Sequence, residues 1–211
     1  MPRIEPFEKY SNEYNQWFDH HADLYKAELK AIRQLIPPTG AEGLEVGVGS
    51  GKFAVPLGIK VGVEPSEKMA SKARSQGIDV HSGVAEELPF SDGQFDFVLM
   101  VTTICFVDDV PRSLREAFRV LKTHGFIIVG FVDRKSELGK QYCEKKENSR
   151  FYKDATLYSA SEVLRYLEGS GFVITNVLQT LIPGELHETI LEGFGTGSFV
   201  VIKGIKTKIG E

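Results

Sequence analysis

The stretch "LEVGVGSGKF" at residues 44–53 sets Gly47, Gly49 and Gly51 on alternate positions behind a short apolar run that carries an acid, Glu45. Glycines spaced this way after a strand-like run mark a turn whose backbone takes positive φ or lies against a ligand. Three ligand chemistries use such a turn. A phosphate loop needs a Lys-Ser or Lys-Thr pair after its last glycine, and here Lys52 is followed by Phe53, so that reading fails. A dinucleotide fingerprint places its third glycine where this chain has Lys52, which counts against it. A cofactor built from a nucleoside and an amino-acid tail suits the acid-x-Gly-x-Gly-x-Gly order. The helix start beyond the turn favours a carboxylate, and Glu45 can balance an ammonium group directly or through water.

Outward from this turn the chain alternates. Residues 12–36 repeat apolar side chains at three- and four-residue steps, as one amphipathic helix or two, and Pro37, Pro38 and Gly40 end it. Short apolar runs "GLEVGV", "IKVGVE", "IDVHS", "FDFVLMV" and "GFIIVGFV" read as strands. Between them stand "SEKMASKARSQG", capped by Ser66 and closed by Gly77, and "PRSLREAFRVLKTHG", with Pro111 in its first turn and Gly125 after its last. Such alternation predicts an α/β, Rossmann-like, doubly wound sheet with helices on both faces. The tail departs from it. "FVITNVLQT" and "GSFVVIKGIK" are joined without a crossover helix, which predicts an antiparallel pair. The connection between them, residues 181–197, is longer than most hairpin loops.

Composition narrows the class. A chain of 211 residues with 42% hydrophobic residues buries one sizeable core, so residues 1–211 read as a single domain. Its net charge of −4 supplies no basic field for nucleic acid. Cys105 and Cys143 have neither disulfide nor metal spacing, no membrane-length apolar run occurs, and the amino-terminal residues lack a signal core. The expectation is a cytoplasmic protein with no nucleic-acid or membrane partner and no metal.

"LEVGVGSGKF", "VGVEPS" and "GVAEELPFSDGQFDFVLMV", in that order, resemble the class I S-adenosylmethionine-dependent methyltransferases, near the ubiquinone and menaquinone group, over about residues 14–130. The resemblance implies a seven-stranded sheet of order 3-2-1-4-5-7-6 with the last strand antiparallel. It implies S-adenosylmethionine as cofactor, S-adenosylhomocysteine as product, and a methyl group transferred by direct displacement. Glu45, Gly47, Gly49 and Gly51 would hold the amino-acid end. Glu64 and Pro65 end the second strand, where a carboxylate accepts both ribose hydroxyls, and Met69 would pack on the adenine. Val84, Ala85 and Glu86 match the family's adenine loop; the family usually has Asp at the Val84 position, and Glu86 would partly replace it. The helix after the turn, "KFAVPLGIK", is shorter than the family's.

"VTTICFVDD" would line the methionine end through Val101 and Thr102, and residues 1–38 would form a helical cap in which Tyr14 or Trp17 closes the site. Residues 41–132 would be the cofactor-binding half, and residues 133–160 and 181–197 the acceptor segments. The motif of amide- and adenine-nitrogen methylating members and the paired-cysteine context of cytosine-C5 enzymes are both missing, which points to a small-molecule acceptor. No catalytic residue is assigned; among five histidines, His187 is the candidate base. A nicotinamide-dependent oxidoreductase and a non-catalytic S-adenosylmethionine-binding regulator stay open as alternatives.

Overall fold

The structure, a computed structural model, describes residues 4–38 and 40–207; the outermost parts of the expected 1–211 domain lie outside the described residues. Its eight strands are β1 (Gly43–Val46), β2 (Val61–Val63), β3 (Asp79–His81), β4 (Phe95–Val101), β5 (Leu121–Val132), β6 (Phe172–Thr180), β7 (Leu191–Glu192) and β8 (Phe199–Lys206). They form one sheet of order β3-β2-β1-β4-β5-β8-β6-β7. The first five pair in parallel, and β8 runs antiparallel to both β5 and β6.

Two neighbouring rows of β4 show why its sequence is apolar throughout. Phe97, Leu99 and Val101 enter one buried layer, while Val98 and Met100 enter the other, because helices cover both faces of a doubly wound sheet. On one face α3 (Ala22–Arg33), α4 (Ala54–Leu57) and α5 (Glu67–Ser75) pack through small residues such as Ala27, Ala31, Ala54, Ala70 and Ala73. On the other, α6 (Val110–Val120) and α8 (Ala160–Gly169) pack through Leu114, Ala117, Val163 and Leu167. The remaining helices, α1 (Glu5–Lys9), α2 (Ser11–His20) and α7 (Glu137–Glu144), lie toward the carboxyl ends of the strands, where they supply residues to the site described below.

Two expectations are corrected. The sheet has an eighth strand, because residues 191–192 lie along Leu178 and Gln179 of β6. Gln179 holds them there: its Nε2 donates to the Glu192 carbonyl at 3.2 Å and its Oε1 accepts from Thr196 and Gly197 at 2.9 and 2.7 Å. A two-residue strand is too short to show alternation. The helix of "PRSLREAFRVLKTHG" stops at Val120, and Leu121 is already extended. Lys206 of β8 ends it by donating to the carbonyls of Phe118 and Leu121 at 2.7 and 2.6 Å, a contact 85 residues away in sequence. Of the one or two helices expected over residues 12–36 there are two, broken at His21, whose ring stacks on Trp17 at 4.6 Å and whose Nδ1 donates to the Trp17 carbonyl at 2.9 Å.

Candidate active site

β1 has β2 on one flank and β4 on the other, so the direction of sheet growth reverses at β1. Connections after such neighbouring strands leave in opposite directions and open a crevice at their carboxyl ends. A cavity of about 1280 Å³, its open mouth included, occupies this crevice.

The glycine turn forms its floor. Gly47, Gly49 and Gly51 have φ of +71°, +55° and +84°, in the left-handed region. The amides of Gly47 and Val48 both donate to the Val63 carbonyl, at 2.8 and 3.0 Å, which ties the turn to the end of β2. A Cβ on Gly47 would stand 2.6 Å from the Thr103 side chain. Gly47 and Gly49 line the cavity; Gly51 does not, and a Cβ there would strike Ile78 at 2.7 Å. Its glycine is needed for packing.

Glu64 closes β2 and faces the cavity. Its Oε2 accepts from the Gly49 amide and its Oε1 from the Ser66 amide, each at 2.9 Å, so both oxygens are fixed and retain lone pairs for a ligand. Burial pushes its pKa up to about 7 against the lowering effect of these two amides. Pro65 and Met69 line the same wall. Glu45 is fully enclosed beside the turn, and its Oε2 is a buried oxygen with no hydrogen-bond partner. Burial drives its pKa well up, opposed by the Ala54 amide. An unsatisfied buried carboxylate oxygen is costly, and an ammonium group or a water beside it would remove that cost.

Val84, Ala85 and Glu86 form the next part of the rim. Glu86 is already engaged: its Oε1 accepts from the amides of Asp108 and Asp109 at 2.7 and 3.1 Å, which joins this loop to the one after β4. Behind the loop, Arg119 donates to the carbonyls of Leu88 and Phe90 and to Asp92 at 3.0, 2.7 and 2.8 Å, while Glu116 accepts from the Leu88 amide at 2.8 Å. Neither Arg119 nor Glu116 carries a motif that marks this role in the sequence.

Val101 and Thr102 line the cavity beyond the end of β4, and α1 and α2 roof it with Phe7, Tyr14, Trp17 and Phe18. The roof is fastened by Glu8, which accepts from the Ser66 hydroxyl at 2.8 Å and from the Lys68 amide at 3.2 Å. The far side is aromatic: Tyr142 stacks on Tyr152 at 4.8 Å, Tyr152 lies 5.9 Å from Phe106, and Phe151 approaches Tyr14 at 5.8 Å. Residues 133–160 thus contribute to the wall. The segment 181–197 does not; none of its residues lines the cavity. Thr180 holds it away by donating to the carbonyls of His187 and Thr189, 3.0 and 2.9 Å distant, and Glu188 pairs with Lys30 on the outside of α3 at 3.0 Å. His187 is exposed there, and no histidine lines the cavity. Cys105 is buried outside the cavity, its Sγ donating to the Thr102 carbonyl at 3.1 Å.

Glu28 of α3 lines the cavity and was not singled out by any motif. It is 5% exposed, and burial pushes its pKa up to about 8. The signal available in the sequence was weak: an acid at the buried edge of an otherwise amphipathic helix, flanked by Ala27 and two positions from Lys30.

Residues 44–129 match the family model "Methyltransferase domain". The chain is 44% identical to an uncharacterised protein of Methanocaldococcus jannaschii over 95% of this chain and 98% of that one. It is 51% identical to a solved Thermotoga maritima protein described as a "SAM-dependent methyltransferase, possible histamine N-methyltransferase", with a TM-score of 0.92 over 97% of this chain and 100% of that one. The chain belongs to the class I S-adenosylmethionine-dependent methyltransferases. A ubiquinone/menaquinone biosynthesis C-methyltransferase of Rickettsia bellii shares 35% identity over 54% of this methyltransferase and 53% of its own length. Membership in this family sets aside the nicotinamide-dependent oxidoreductase. The residues of this methyltransferase fit the family's cofactor: the anchored Glu64 carboxylate lines the cavity and suits a ribose diol, while Glu45, whose Oε2 has no partner, does not line the cavity and would reach the ammonium group only through a water. Among the described residues, no helix is long and apolar enough to cross a membrane, and no group of His, Cys, Asp or Glu is arranged to hold a metal ion.

Proposed function

We propose that this methyltransferase transfers a methyl group from S-adenosylmethionine to a small-molecule acceptor by direct displacement, within the cavity at the carboxyl ends of β1, β2 and β4. The observation that carries the proposal is the continuity of that cavity. It runs from the Glu64 carboxylate to an aromatic chamber under α1, α2 and α7, and so has space for an acceptor beside a nucleoside. The cap over it favours a small acceptor over a macromolecule. The substrate named in the description of the Thermotoga protein is also a small molecule.

In this reading Glu64 accepts from the ribose hydroxyls, Pro65 and Met69 flank the adenine, and Val84, Ala85 and Glu86 border it. Gly47 and Gly49 admit the amino-acid end to the backbone, with Glu45 as counter-charge for its ammonium and Gly51 keeping the turn packed. Val101, Thr102, Tyr14 and Trp17 enclose the reacting end. The bound cofactor supplies a methyl group on a positively charged sulfur, already activated for displacement. The chain therefore has to align the acceptor behind that methyl group and exclude water, and alignment of this kind can supply roughly 7–11 kcal/mol of a barrier. Residues 1–211 act as one domain, with the helices before residue 38 as its cap and residues 133–160 as the acceptor wall.

Calorimetric titration with S-adenosylmethionine, S-adenosylhomocysteine and NADH tests the cofactor assignment. Micromolar binding of the two sulfur nucleosides, weakened by Glu64→Gln, with none for NADH, is expected. Binding of NADH alone would refute it. A regulator would bind the nucleosides and methylate none of a panel of amines, phenols, thiols and quinols; turnover of one of them separates the two readings.

A further inference from the structure

Glu28 has no part in the donor site proposed above, and its surroundings define what it can do. Its carboxylate lines the cavity at 5% exposure, and no hydrogen bond or ion pair reaches it from the described residues. Among the described residues no Lys, Arg or His lines the cavity either; the carboxyl groups of its lining are Glu28, Glu64, Glu86 and Asp108. Of these, Glu64 and Glu86 are held by backbone amides on the donor side. Glu28 stands on the other side, where its charge is felt by Tyr142 of α7 and by Tyr152, which stack on each other. Tyr14 of α2 lies between the halves and feels Glu28, Glu45 and Glu64.

A chamber walled by aromatic rings, whose buried carboxyl gains by ionising only beside a positive charge, favours cations over carboxylates and phosphates, through the carboxyl group and the ring faces together. Accepting the methyltransferase reading above, on which this rests, we propose that the acceptor is a small primary or secondary amine, bound as its ammonium in the aromatic half of the cavity, with Glu28 as its counter-ion and proton acceptor. Glu28 takes one proton from the ammonium and leaves a neutral amine. The nitrogen lone pair then forms the N–C bond as the methyl C–S bond breaks, its electron pair staying on sulfur, and the product is an N-methylated ammonium.

The ionisable groups around Glu28 are Tyr14 of α2, Tyr25 of its own helix, Tyr142 of α7 and Tyr152, all with hydroxyl pKa values raised by burial. Without a cation Glu28 is mostly neutral at pH 7, since burial raises its pKa to about 8. An arriving ammonium ionises it and releases close to one proton to solvent.

The test uses the protein loaded with S-adenosylhomocysteine and three probes of one shape: phenethylamine, 2-phenylethanol and phenylacetate. Binding is followed by the fluorescence of Trp17, the single tryptophan, which lines the cavity. Proton release is read by calorimetry at pH 7 in buffers of different ionisation enthalpy. The amine should saturate and release a proton while the alcohol and the acid bind roughly tenfold more weakly or not at all. Glu28→Gln should retain S-adenosylhomocysteine, weaken the amine by roughly tenfold or more, and abolish proton release. Equal binding of the three probes, no amine binding to the loaded protein, or unchanged amine binding in Glu28→Gln would overturn the proposal. If Glu28→Gln loses its fold, Glu28→Asp decides: it must keep the preference for the amine and the proton release, and their loss overturns the proposal. Failure of the wild type to bind S-adenosylhomocysteine would instead overturn the cofactor reading and this inference with it.

Discussion

Replacing Glu28 with Gln should stabilise the ligand-free protein in a pH-dependent manner. The Glu28 pKa rises from 4.5 to about 8 because the folded chain takes its carboxyl out of water. A raised acid pKa means that the folded state holds a proton the unfolded state has lost, so stability is fully present below pH 4.5 and is lost as pH climbs through about 8. Each pH unit of that gap is worth roughly 1.4 kcal/mol, which sets a ceiling of about 5 kcal/mol. Relaxation and water entry from the cavity reduce it, and about 2–3 kcal/mol is a realistic size. Gln is neutral at every pH and keeps the side-chain length. The two proteins should therefore melt together near pH 5 and diverge toward pH 9, where Glu28→Gln should melt higher by roughly 5–10 °C for a chain of this length. Calorimetric scans of both proteins at pH 5, 7 and 9 measure the divergence, and the shared titrations of Glu45, Glu64 and the surface cancel in the difference. Melting curves that stay parallel across the range would show that Glu28 is not titrating in a buried site.

Glu64→Gln should weaken S-adenosylhomocysteine by roughly 10- to 100-fold with little change in circular dichroism, because an amide cannot accept from both the Gly49 and Ser66 amides and still serve a diol; calorimetry reads the change. Gly47→Ala should cost about 1–3 kcal/mol, since its φ is +71° and its new methyl would stand 2.6 Å from Thr103. Adding Thr103→Ala should recover part of the lost melting temperature, and no recovery would mean that strain in the turn, not the clash, dominates. Arg119→Lys should lose roughly 1–2 kcal/mol, because a single ammonium cannot replace a fork that reaches Leu88, Phe90, Asp92 and Glu116; hydrogen exchange at residues 86–92 should speed up.

The glycine turn and the acid after it were legible because their geometry is local. Positive φ at Gly47, Gly49 and Gly51 demands glycine at set places, and Glu64 follows at the end of the next strand, so order and spacing reveal them. The sheet was legible for a similar reason: strands buried on both faces read as apolar runs, and helices between them read at their own period. The limits of that logic fell where the determinant is one distant contact. Lys206 ends α6, and Gln179 builds β7, each through hydrogen bonds to residues that no periodicity brings together. His187 looked like a candidate base because a long loop often carries function, but Thr180 and Gln179 fold that loop away from the cavity.

By itself, then, the sequence determined the alternating α/β order, the glycine turn with its two following acids, and a family whose fold and cofactor come with those motifs. Tertiary structure decided which acids share the cavity, that Glu86 is committed to the loop of Asp108 and Asp109, and that Glu28 is buried at a cavity wall it shares with aromatic rings. The physical reason is that backbone conformation and helical or strand period are short-range properties, recorded in neighbouring residues. Desolvation and charge pairing depend on every group within a few ångströms, whatever their separation in the chain, and a carboxylate acquires its pKa only once those neighbours are in place.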